Sequence, residues 1–180
     1  MQMLWTLMGV GSAVVVTVLP GAAAPVESRD VTRIARQPHL LTITVPASAN
    51  LGSTFPGSSI SRQLGEVQVS DKRAGQNTVW TATVAASDFT TPGGGAARQI
   101  SRSQFSYWSG PATRTTGSGT RVPGQATSAQ AQNLGVPRTA FAKTSGNGAN
   151  VTTWQPTLIV TVPAAAVGGT YTGTITHSVA

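Results

Sequence analysis

Glu66–Thr90, EVQVSDKRAGQNTVWTATVAASDFT, alternates dry and wet residues on either side of a polar linker. Val67 and Val69 alternate with Glu66, Gln68 and Ser70; Trp80, Ala82 and Val84 alternate with Thr81 and Thr83. A period of two, with β-branched Thr on the wet side, describes strands with one buried face, and no helical spacing fits it. The linker DKRAGQN carries Asp, Gly and Asn, which turns favour because they accept unusual backbone angles or hydrogen-bond nearby backbone. The expectation is a β-hairpin with Trp80 on the inward face of its second strand.

The same pattern recurs along the chain. Leu41, Ile43 and Val45 alternate with Thr42 and Thr44 before Pro46, a residue that cannot donate to a ladder and so ends strands. Leu158, Val160 and Val162 share a face before Pro163, and Tyr171, Ile175, His177 and Val179 share another. Ile100–Trp108 reads as a strand near a sheet edge. Ser109–Asn150 is rich in Gly, Ser, Thr, Ala and Gln. A structureless loop of that length is unusual in a domain, so short strands are expected near Thr120–Val122 and Thr139–Lys143. LTITVPASANLG (Leu41–Gly52) echoes LIVTVPAAAVGG (Leu158–Gly169); two sandwich strands that end alike account for this more simply than a duplication does. Many short strands separated by turn signals predict an all-β fold, an antiparallel β-sandwich, with an immunoglobulin-like arrangement as one form of it.

At 180 residues one domain with a real core is expected. Only 9% of residues are charged, against roughly 25% in ordinary soluble domains. Such a composition would allow disorder, but the alternating strands argue against it; uncharged polar strand faces explain it better. There is no Cys, which removes disulfides and thiolate metal sites and leaves stability to the core. Residues 1–23 read as a signal peptide: Val10–Leu19 is mostly apolar, and Gly21 and Ala23 are the small residues of a cleavage site after Ala23. Met1–Leu19 nearly reaches the length of about 20 apolar residues that spans a bilayer, so an uncleaved anchor is the alternative. Residues 24–38 form a flexible leader and residues 39–180 the sandwich. No stable membrane insertion is expected after cleavage, and the location is secreted or cell-wall.

The formal charge is +7, from 12 basic and 5 acidic residues. Such a balance suits nucleic acid or another polyanion, but the Arg residues are scattered singly, so no nucleic-acid partner is expected. Catalysis is not expected either: no G-x-S-x-G elbow is present, and a glycosidase needs two suitably placed carboxyls. Two His and the domain acids Glu66, Asp71 and Asp88 are a poor donor set for metal, and no cofactor is expected.

The order VSDKRAG, VWTATV, SDFT, LIVTVP and YTGTITHSV, spread over Leu40–Ala180, resembles the WxL-domain surface proteins of Gram-positive bacteria, in an actinobacterial-type form. The signature itself is degenerate: Trp80-Thr81-Ala82 has Ala where the motif has Leu, and His177-Ser178-Val179 has His in place of the second Trp. The resemblance implies an exported protein held non-covalently on the wall through peptidoglycan, with Asp71, Arg73, Trp80 and His177 as the family-motif positions. The absence of an LPxTG signal agrees with non-covalent attachment.

Structural roles are expected for those four residues: Trp80 as core, Asp71 as a turn residue with at most a weak exposed pair to Arg73, and His177 as a hydrogen-bonded core histidine. Tyr107, Trp108 and Trp154 neighbour Gly, Ser and Pro. They are the candidate glycan contacts if their rings are exposed, and core plugs if they are not. Expected partners are therefore cell-wall polymer or other surface proteins. The second reading is a structural or assembly subunit of a surface layer or filament, built through pairing of an edge strand.

Overall fold

A computed structural model describes residues 40–180. The expected signal peptide and leader, and His39, lie outside the described residues. Among the described residues, fourteen strands and three single turns of 3-10 helix make up the regular structure, as the alternating pattern requires. No helix among the described residues is long and apolar enough to cross a membrane.

The first wall of the sandwich turns a corner. β2 (Ser59–Gln63) leads through Gly65 into β3 (Val67–Asp71). β7 (Phe105–Trp108) leads through Gly110 into β8 (Ala112–Thr116), and β12 (Asn150–Trp154) leads through Pro156 into β13 (Thr157–Thr161). On one side of the corner the order is β7-β13-β2; on the other it is β8-β12-β3. One three-stranded antiparallel ribbon therefore continues around the bend, bridged there by Leu64 N–H donating to Pro156 O at 2.9 Å. Gly65 and Gly110 have φ of 95° and 70°, a left-handed backbone that glycine adopts without a steric cost. β1 (Leu41–Thr44) widens one arm beside β3, and β10 (Gln132–Asn133) widens the other beside β7.

The second wall is the antiparallel sheet β14-β4-β11-β9, formed by Ile175–Val179, Trp80–Ala86, Arg138–Lys143 and Arg121–Pro123. β5 (Phe89–Thr90) and β6 (Gln99–Ile100) make a small separate ladder. The core lies between the two walls. Val67 and Val69 come from the bent wall, Trp80, Ala82 and Val84 from the other, and all five are buried. Phe141 of β11 stacks on Trp154 of β12 with centroids 5.0 Å apart, a direct contact across the two layers.

The expected hairpin does not form. β3 pairs with β1 and β12, whereas β4 pairs with β11 and β14. Lys72–Val79 is the crossover from one wall to the other. Alternation identifies which face of a strand is dry, but two dry faces can meet across a core as well as lie side by side. Elsewhere the expected strands at Thr120–Val122 and Thr139–Lys143 are β9 and β11. The chain also contains β8, β10 and the start of β12 in the stretch that had little apolar signal.

Candidate functional site

Asp71 ends β3 and is buried, not exposed in a turn. Arg73 clamps it with both arms of the guanidinium: Nε donates to Oδ1 at 2.8 Å and Nη2 to Oδ2 at 2.9 Å. The Arg73 backbone N–H also reaches Oδ1, and Nη2 donates to Val79 O at 2.8 Å. The expected weak exposed pair is thus a bidentate, half-buried one, which gains geometric definition from its fork. Burial pushes the Asp71 carboxyl up, but the Arg73 hydrogen bonds and charge, with help from Asn150, outweigh it and hold the group below its ordinary value.

Lys143, which no sequence argument singled out, completes the cluster. It lies opposite Trp80 in the β11–β4 ladder and is 1% exposed. Its ammonium donates to Gly146 O at 3.0 Å and Asn147 O at 2.8 Å, and bonds both Thr78 O and Thr78 Oγ1. Asn150 Nδ2 donates to the same Asn147 O, at 3.0 Å, and Gly148 N–H donates to Gly75 O. Together these bonds fasten the crossover 72–79 to the loop 144–149. Burial lowers the Lys143 pKa, opposed by the Asp71 charge and assisted by the charges of Arg121 and Arg73. A signal was present: Lys143 is two residues from Phe141 in one strand, hence on its face.

The three aromatic candidates separate. Tyr107 and Trp154 are both 0% exposed, so neither ring has a face for a sugar; they are corrected to core residues. Their environment explains it: both sit on the inward side of strands flanking the corner. Trp108, the next residue along β7, points the other way and is half-buried. It remains the one of the three with accessible ring surface.

Tyr107 and Trp154 instead share a buried polar chain with His177. Trp154 Nε1 lies 3.4 Å from Tyr107 Oη, which lies 3.1 Å from His177 Nε2. The indole can only donate. Tyr107 satisfies its own proton by donating onward, so His177 accepts at Nε2 and carries its proton on Nδ1. Burial lowers the His177 pKa to about 4 and raises that of Tyr107, keeping both neutral. His177 is therefore an interior hydrogen-bonding residue, and Trp80 is an interior one at 1% exposed whose indole N–H has no partner among the described residues.

The surface charge is one-sided. Arg62, Lys72, Arg102 and Arg114 are exposed. Of the three domain acids only Glu66 is fully exposed; Asp71 is enclosed, and Asp88 accepts from Gln99 Nε2 at 2.6 Å and Arg102 N–H at 2.7 Å. Among the described residues the one ion pair is Arg73–Asp71. No group of acids and histidines among them could hold a metal ion. Comparison with protein-family models finds none that matches the chain, and comparison with curated proteins finds no match either.

Proposed function

We propose that this chain is an exported, non-catalytic module that associates with the bacterial cell wall, with an anionic wall polymer as its ligand. The observation that carries this reading is the surface charge: Arg62, Lys72, Arg102 and Arg114 face solvent without carboxylate partners among the described residues. Like charges spread over a rigid sandwich attract a polyanion without needing a shaped pocket. The resemblance to WxL-domain surface proteins points to the same location. Trp108 is the aromatic available to add a glycan contact. Purified domain should co-sediment with Gram-positive wall at low salt and be released as salt shortens the screening length from about 10 Å at 0.1 M to about 3 Å at 1 M. Extraction of the anionic polymers from the wall should abolish retention. Equal retention on extracted wall would sink the proposal.

A second reading, an assembly subunit joined by edge-strand pairing, is favoured by the position of β14. It has a single ladder partner, β4, at the edge of its sheet, and an unpaired edge is a template for another strand. Sedimentation velocity at high concentration would show oligomers that disappear when Ile175, whose N–H lies on the edge away from β4, is replaced by Pro. A monomer at all concentrations would remove this reading.

A further inference from the structure

A cavity of about 820 Å³ opens between the walls, within the range of about 300–1,000 Å³ common for small-molecule sites. Leu51, Ile60, Leu64, Leu158 and Ile175 line it with aliphatic surface from both layers, and the loops 48–56 and 167–173 frame it. The two segments that echo each other in sequence meet here: Val45, Pro46 and Leu51 come from one, Val160, Val162 and Val167 from the other. At the rim, between lining residues Thr54 and Pro56, Phe55 is 82% exposed, an aromatic ring with little of its surface packed.

Ser48, Asn50, Ser53, Thr170 and Thr172 place exposed polar groups around the loops of this cavity, and one buried polar side chain distinguishes its interior from a packing defect. His177 lines it and is 3% exposed. Its Nε2 is occupied by Tyr107, which leaves Nδ1–H as a donor for which the described residues supply no acceptor. Nδ1 is not among the fully enclosed unpartnered atoms, so it meets the cavity, and a ligand oxygen there would accept from it in place of solvent.

We propose that the cavity is a binding site for a small aliphatic molecule carrying an uncharged acceptor oxygen, such as an alcohol, ketone or ester. The chain lies among the Leu and Ile side chains, and the oxygen accepts from His177 Nδ1–H. An ionised head group beside His177 is disfavoured, because at that buried position one neutral donor does not compensate the desolvation of a charge. This site is independent of the wall reading; neither depends on the other.

The test is calorimetric and fluorescence titration of the folded domain with dodecanol, alongside dodecane and dodecanoate. Dodecanol should bind saturably with one site. Ile60→Trp, on the half-buried face of edge strand β2, should narrow the cavity and weaken binding while the domain stays folded. His177→Phe should weaken dodecanol about tenfold, the loss of one hydrogen bond. Should that variant fail to fold, wild-type protein must still prefer dodecanol to dodecane by a similar factor. No saturable binding, or binding unchanged by Ile60→Trp, overturns the site. Equal affinity for dodecanol and dodecane overturns the role of His177, and tighter binding of dodecanoate than dodecanol overturns the ligand class.

Discussion

Lys143→Met should lower the stability of the folded domain by about 2 kcal/mol, the scale of losing hydrogen bonds to a charged donor. Methionine keeps most of the lysine's length and apolar volume, so the change isolates the ammonium. What it strands is a set of carbonyls: Thr78, Gly146 and Asn147 would each lose their charged donor. Asn147 O keeps Asn150 Nδ2, so Thr78 O and Gly146 O are the acceptors left without a donor, at about 1 kcal/mol each in these part-buried positions. Because those carbonyls belong to both the crossover 72–79 and the loop 144–149, the loss would loosen the link between the two walls. Urea unfolding is the check. A midpoint shift with unchanged slope, worth about 2 kcal/mol, is expected; a loss below about 0.5 kcal/mol would mean that the ammonium is solvated and fastens nothing.

The second large effect concerns acid. His177 has a pKa near 4 in the fold and about 6.5 when unfolded. As pH falls below about 6.5 the unfolded chain takes up a proton that the folded chain refuses. Stability is therefore fully present above the unfolded value and declines until pH reaches about 4, where both states are protonated. The total is about 3 kcal/mol, from a difference of roughly two and a half pKa units at 1.36 kcal/mol each. Asp71, held below its ordinary value, adds its own loss only at still lower pH. The measurement is the stability of wild type and His177→Phe between pH 7 and 4. The variant forfeits the Tyr107 hydrogen bond at every pH, but its pH slope in this window should be flatter. Parallel slopes would show that His177 titrates freely.

The strands were legible because each wall of the sandwich is wet on one side, and that asymmetry is written as alternation. Trp80, Ala82 and Val84 could be placed inward with no knowledge of their partners. Pairing was not legible, because the choice between a hairpin and a crossover depends on what lies on a strand's edges. The edges of β3 are taken by β1 and β12, which are distant in sequence. β12 was hard to see for a related reason: Thr152, Thr153 and Trp154 are consecutive and all buried, so the period of two disappears there.

The candidate site was legible in part. That His177 would be a hydrogen-bonded interior residue followed from its place on a face with Ile175 and Val179. The partners of that hydrogen bond, Tyr107 and Trp154, did not follow, since nothing local brings β7, β12 and β14 together. Neighbouring Gly, Ser and Pro suggested exposure for those two rings, whereas the small residues here serve the corner in the sheet. Trp108 differs from Tyr107 by one position, and one position reverses the face.

Asp71, Trp80 and His177 are buried and Arg73 is held against Asp71, so under the proposed function recognition falls to exposed charge. Wall retention at low salt, compared between Trp108→Ala and a variant with Arg62, Lys72, Arg102 and Arg114 all replaced by Gln, tests this most directly. The charge variant should lose retention while Trp108→Ala keeps most of it, both remaining folded. Full retention by the charge variant, or its loss in Trp108→Ala alone, would contradict the account.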